Sequence, residues 1–232
     1  MTRVIACALT LLTLPALAAP GLADPVVIGG PADSNNCYPF GCGRGETGQA
    51  SRYQQVYASS QFAGPMTIAA VQFYFSEFAG NPLTVGTYEF YLSTTGRQVG
   101  GLDTRQFDTN SGRDRALFTV MPFAGTPAPA VLSIAGTPFR YDPGAGNLLL
   151  DIVIPGGAVP GQGQDVAFAE ARNGTASGLF SRAHNFGGGF AGYGLVTGFV
   201  DASPVPEPAT MSLFGLGLAA TALRARRRLA HR

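Results

Sequence analysis

The chain of 232 residues has no tryptophan and no lysine, and it holds three cysteines and two histidines. Each shortage narrows the chemistry. Without lysine, all fifteen basic residues are arginines. Without tryptophan, stacking on sugar rings falls to tyrosine. His184 is the one histidine away from the C-terminal end, where His231 lies. A Ser-His-Asp triad would have to use His184, and no Gly-x-Ser-x-Gly elbow accompanies it. One histidine and a cysteine pair do not make the usual His-rich zinc centre. Flanked by Ala183 and Asn185 ahead of a glycine run, His184 reads as an exposed loop residue. Long apolar runs are missing as well. The two longest hold about fourteen and about fifteen residues, against the ~20 that span a hydrocarbon core comfortably. Helical Leu-Glu-Lys patterning is absent, while glycine, proline, threonine, phenylalanine and tyrosine abound.

The two ends carry the clearest signals. Arg3 precedes an apolar stretch, Val4 to Leu17, in which Pro15 disfavours a lasting helix. Ala16-Leu17-Ala18 and Gly21-Leu22-Ala23 are small-x-small cleavage sites. Residues 1–23 therefore read as a signal peptide. Near the other end, Pro206-Glu207-Pro208 precedes an apolar run from Ala209 to Leu223, and Arg224, Arg226, Arg227 and Arg228 follow. Arginines resist translocation and stay on the cytoplasmic side. The tail, residues 204–232, thus reads as a short transmembrane helix with a basic stop and its body outside, in agreement with the signal peptide.

Val205-Pro206-Glu207-Pro208-Ala209-Thr210, the Gly-Leu-Gly-Leu helix and the arginine cluster resemble the PEP-CTERM sorting signal over residues 204 to 228. The resemblance implies handling by an exosortase, a membrane-embedded transpeptidase-like protease that removes the tail. It also implies passage through the inner membrane to the surface or extracellular matrix of a Gram-negative bacterium that makes exopolysaccharide. Tyr53-Gln54-Gln55-Val56-Tyr57 and Asn36-Cys37-Tyr38-Pro39-Phe40-Gly41 resemble segments of other PEP-CTERM proteins, which carry no activity with them.

Residues 24–203 remain as the exported body, ample for one domain. They hold nine arginines against thirteen carboxylates, a formal charge of about −4 that is hidden by the +1 of the whole chain. An acidic body disfavours phosphate-backbone recognition. Cys7 leaves with the signal peptide, so Cys37 and Cys42 form the remaining pair. In an oxidising compartment they read as a short disulfide loop. A metal or redox pair is the alternative, with no third ligand nearby.

Period-two alternation marks the strands. Ile68, Val71, Phe73 and Phe75 share one side of a segment with an irregularity at Ala69-Ala70. Tyr88, Phe90 and Leu92 share a side opposite Glu89 and Tyr91. Asn81-Pro82 between the two segments predicts a hairpin or adjacent antiparallel strands. Further strands are expected at Tyr53–Tyr57, Ala116–Met121, Val131–Ile134, Leu148–Ile154, Asp165–Ala169, Leu179–Ala183 and Leu195–Val200. The nearly all-apolar Leu148–Ile154 reads as a central strand. Asp24–Gly48 reads as an irregular lead-in. The pattern predicts an all-β fold, an antiparallel sandwich of jelly-roll type, with a barrel as alternative.

Three constellations are candidates for chemistry. Asp108, Asn110 and Asp114 place oxygens at i, i+2 and i+6 of a glycine-containing loop, a spacing that suits Ca²⁺. Thr119 stands where the twelve-residue loop pattern needs a bidentate glutamate. Tyr74 and Tyr91, on the polar sides of their strands, are candidates for a sugar platform. Glycosidases need two carboxylates ~5–9.5 Å apart, and Glu89 and Glu170 fit a solvated face or a salt bridge equally. The expectation is an exported, non-enzymatic surface or matrix protein, structural, adhesive or polysaccharide-binding. The alternative is a secreted carbohydrate-active enzyme on a β-sandwich.

Overall fold

The computed structural model describes residues 24–29, 34–41, 50–77, 81–159, 167–172, 178–185, 189–191 and 193–202. Residues 1–23 (the expected signal peptide), the sorting tail and Cys42 lie outside the described residues. Leu22–Pro204 forms one compact unit. Its strands are β1 (Val26–Ile28), β2 (Ser34–Asn36), β3 (Ser51–Tyr57), β4 (Met66–Glu77), β5 (Val85–Thr95), β6 (Ala116–Ala124), β7 (Val131–Tyr141), β8 (Asn147–Ile154), β9 (Ala167–Arg172), β10 (Phe180–His184), β11 (Gly189–Ala191), β12 (Tyr193–Leu195) and β13 (Thr197–Asp201). Among the described residues the helical elements are two short 3-10 turns, Ser59–Gln61 and Phe107–Asn110, and no helix is long and apolar enough to cross a membrane.

The strands form two antiparallel sheets packed as a sandwich. One sheet runs β1-β13-β4-β9-β12, with β7 also paired to β4 and β2 to β9; the other runs β11-β10-β3-β8-β5-β6. The alternation read from sequence holds in both. Ile68, Val71 and Phe73 of β4 are fully buried, and the irregularity at Ala69-Ala70 is a register shift between Ile68 and Ala70 against β7. Tyr88, Phe90 and Leu92 of β5 are likewise buried.

The expected hairpin between these two segments is not formed. β4 and β5 belong to opposite sheets, and the chain around Asn81-Pro82 crosses between them. Period-two patterning sets which side chains face the core, and a strand can satisfy it in either layer. Phe40 of the lead-in touches inward rings of both strands, 4.8 Å from Phe73 and 6.1 Å from Phe90, centroid to centroid.

β8 is central, with β3 on one side and β5 on the other. Its residues Leu148 to Ile152 are all buried, because both faces of the strand are covered. That double coverage explains a continuous apolar run in place of alternation. β7 continues to Tyr141, beyond the apolar segment that marked it. Gly136 permits this stretch to approach β6, since a Cβ there would stand 2.4 Å from the Phe118 carbonyl oxygen. The segment 195–200 is broken in two at Val196: β12 pairs with β9, and β13 pairs with β4 and β1.

The lead-in, expected to be irregular, supplies two strands and a core residue. β1 adds to β13, and β2 adds to β9. Phe40, fully buried, meets Phe73, Tyr88, Phe90, Phe123 and Phe168. Its segment is fixed by Tyr88 Oη donating to Pro39 O at 2.7 Å and Thr84 N donating to Phe40 O at 2.9 Å. Such backbone groups need partners once buried, and a tyrosine and a threonine provide them.

Candidate functional site

The connection from β5 to β6, residues 96–115, is long for a compact domain. It folds back over the outer face of the second sheet. Leu102 and the half-buried Val99 and Phe107 pack on Val56, Leu149 and Ala183, a small apolar cluster separate from the main core. Gln54, fully buried on that face, donates through Nε2 to Phe107 O at 3.1 Å and accepts from Asn110 Nδ2 at 2.7 Å. Asn110 also donates to Asp103 O and accepts from Asp103 N, both at 2.8 Å. Thr95 Oγ1 donates to Asn110 O at 2.6 Å, and Gly100 N donates to Ser181 Oγ at 2.8 Å.

Beside this neutral network lies a charged one. Asp151, in the middle of β8, is 1% exposed. Arg52 grips it with two bonds, Nε to Oδ1 at 2.8 Å and Nη2 to Oδ2 at 2.7 Å. Arg115 adds Nε and Nη2 to Oδ2 at 3.1 and 3.0 Å. The third nitrogen of Arg52 reaches the exposed Asp108 Oδ1 at 2.6 Å. Burial alone would lower the basicity of Arg52, but Asp151 and then Asp108 outweigh it and raise it. The hydrogen bond from Arg52 in turn holds the Asp108 carboxyl below its ordinary range. Arg115 also covers the Tyr91 ring, its guanidinium carbon 3.4 Å from the centroid, and Tyr91 Oη donates to Glu89 Oε2 at 2.7 Å. Asp151 accepts four N–H bonds from two arginines, so its acceptor sites are taken up by protein donors.

The three residues with calcium spacing are placed in this region, and each is engaged with a protein donor. Asp108 accepts from Arg52, Asn110 is inside the loop-to-sheet network, and both oxygens of Asp114 accept from Thr94 N, at 2.9 and 3.1 Å. Among the described residues no group of three His, Cys, Asp or Glu side chains is arranged to hold a metal.

The two tyrosines are not brought together. Both point outward as the alternation requires, but from opposite sheets: Tyr74 lies on β4, with its hydroxyl donating to Gln72 Oε1 at 3.3 Å, and Tyr91 lies on β5. They do not form one platform. His184 is also corrected. It ends β10, half-buried, with its ring 5.9 Å from that of Tyr38 and 6.5 Å from that of Tyr53. Burial first, and the charge of Arg182 second, lower its pKa to about 4. Cys37 is half-buried, and its carbonyl accepts from Gly41 N at 2.6 Å. The Glu170 side chain, Cys42, Pro206, Glu207, Pro208, Arg224, Arg226, Arg227 and Arg228 lie outside what the structure describes.

Sequence reasoning passed over Arg52, Arg115, Asp151 and Gln55. One signal was present: a single aspartate inside the apolar run Leu148–Ile154 must be paired if that run is central. Elsewhere in the body, Asp24, Val26, Phe62, Gly64, Met66 and Asp201 line a mostly apolar depression of ≈ 200 Å³. It is small for a ligand site.

No curated protein matches this chain. Residues 204–228 match the family model of the PEP-CTERM protein-sorting motif, so the chain carries that sorting signal, which implies an exported protein processed by an exosortase.

Proposed function

We propose that residues 24–203 are the mature body of a non-enzymatic protein of the cell surface or extracellular matrix, with a structural or adhesive role. The observation that carries the reading is the sorting motif at 204–228. The outer-face carboxylates support the non-enzymatic part. Asp151, Asp108 and Asp114 are engaged in fastening the 96–115 loop to the sheet. A Cys37–Cys42 disulfide would close the loop that carries Phe40, consistent with an oxidising destination. Contact with exopolysaccharide belongs to the same reading, through separate surfaces and not a joint Tyr74–Tyr91 platform. The strand arrangement suits a jelly-roll-like sandwich.

Intact-mass measurement of the extracellular protein tests the sorting half: loss of Arg224 to Arg232 is expected, and their presence on the mature form would count against it. A glycan array with the purified body, run beside a reducing-end hydrolysis assay, tests the other half. Turnover that disappears on a single Glu→Gln change would replace this reading with a secreted carbohydrate-active enzyme.

A further inference from the structure

The chain enters and leaves the sandwich at one place. Val26 of β1 stands opposite Phe199 of β13, so Asp24 and Asp201 lie at the same end of that strand pair. Both line the apolar depression formed with Phe62, Gly64 and Met66. The exit is tied to the sheet up to its last described residue. Thr67 N donates to Asp201 Oδ1 at 3.2 Å, and Ala202 N donates to Thr67 O at 2.7 Å. Ser203, Pro204 and Val205 then separate Ala202 from the Pro206-Glu207-Pro208 motif. Fully extended, Ala202 to Pro206 reaches at most about 14 Å, at ~3.6 Å per residue. An enzyme that takes this motif into its cleft must come within that distance of Ala202, the neighbour of Asp201 on the rim of the depression.

We propose that this end of the body is a docking face for the sorting enzyme, met together with the motif. The inference rests on the sorting reading above and adds to it the surface and the role of the short tether. Asp24 and Asp201 flank an apolar floor. The complementary enzyme surface therefore carries basic groups beside an apolar projection. The depression is small for a ligand of its own, and Asp201 on its rim precedes Pro206 by five positions in the chain.

Gly64 allows a clean test. No atom lies within 4 Å of where its Cβ would stand, and its backbone is not left-handed, so Gly64→Arg adds bulk and positive charge without disturbing the fold. The full chain is followed in the producing cell, with loss of the tail timed by intact mass. Four forms are compared: wild type, Gly64→Arg, a flexible Gly-Ser insertion of about ten residues between Ser203 and Pro204, and both changes together. The insertion adds a reach of ~16–19 Å, so the motif can enter the enzyme without the face. With the native tether, Gly64→Arg is expected to slow tail removal several-fold; with the long tether it is expected to have no effect. Equal rates for wild type and Gly64→Arg on the native tether would overturn the proposal. So would the same slowing on both tethers, with thermal melts of the purified forms confirming an intact fold. If no form loses its tail, the sorting reading itself has failed, which is a separate result.

Discussion

Gln54 and Gln55 are neighbours in β3, both fully buried, and they point to opposite faces of the same sheet. Gln54 faces outward and binds the 96–115 loop through Phe107 O and Asn110. Gln55 faces inward and spans the sandwich: its Nε2 donates to Leu195 O and its Oε1 accepts from Leu195 N, both at 2.9 Å. It acts as a substitute strand for the segment where β12 passes into β13. Tyr53 Oη donates to the same Oε1 at 2.6 Å, and Tyr57 Oη donates to Thr197 Oγ1 at 2.8 Å. The inner network is built of neutral groups, and the buried Arg182 stands opposite Gln55 in strand register. The outer network includes ion pairs, with Arg52 and Arg115 side chains 16% and 30% exposed. A guanidinium at the edge of a covered face keeps part of its hydration, so pairing it with a carboxylate is less costly there than between two sheets. Amides and hydroxyls suit the dry interior because they carry no net charge to desolvate and are matched by buried partners.

The inner side is expected to be the more sensitive. Phe40→Ala, which empties a site among five rings, is expected to lower stability by about 3–5 kcal/mol in urea melts of the body. A loss near ~1 kcal/mol would mean that the lead-in is not part of the core. Asp151→Leu removes the anion shared by Arg52 and Arg115 and is expected to lose about 2–3 kcal/mol. Adding Arg52→Met should recover part of it, and no recovery would mean that the loop depends on Arg52 through Asp108 instead. Gln55→Leu takes from Leu195 N its acceptor in a dry site, while Leu195 O keeps Thr197 Oγ1, and should lose about 2 kcal/mol. Gln54→Leu should lose less, because Asn110 Nδ2 keeps Asp103 O and Phe107 is half-buried. Equal losses at 54 and 55 would erase the distinction between the two faces.

Acid separates the faces as well. The pKa of His184 is lowered by burial to about 4, against ~6.5 in an unfolded chain. The unfolded state therefore takes up the proton first. The stability from a neutral His184 is present above ~6.5 and is lost as pH falls from there toward 4. Melting temperatures at pH 7 and pH 5 should differ more for the wild type than for His184→Phe. The smallest effects are expected at the outer rim. Asp108→Ala breaks an exposed pair and should change stability by less than about 1 kcal/mol. Chelation against added Ca²⁺ at matched ionic strength should leave the melting temperature unchanged; a calcium-dependent rise would mean that the loop oxygens exchange their protein donors for the ion.

Local pattern revealed a great deal here. Alternation marked the inward residues of β4 and β5 and the register irregularity at Ala69-Ala70, and an almost unbroken apolar run marked β8 as central. It failed where meaning depends on what lies across a gap. The outward side chains of Tyr74 and Tyr91 carry the same local signature on opposite layers. The Asp108–Asp114 spacing resembles a cation loop, but its donors come from Arg52 and Thr94, distant in sequence or on another strand. Phe40 sits in a glycine- and proline-bearing segment with no periodicity, so nothing local marks it as core.

The order of residues alone determined the strand faces, the all-β class, the acidic body and the sorting motif at 204–228, because each depends on neighbours a few positions apart. Only the folded chain decided that β4 and β5 lie in different sheets, that Asp151 is shared by two arginines, and that Asp24 and Asp201 meet at one end. Those outcomes depend on which sheet each strand joins, and side-chain alternation is indifferent to that choice.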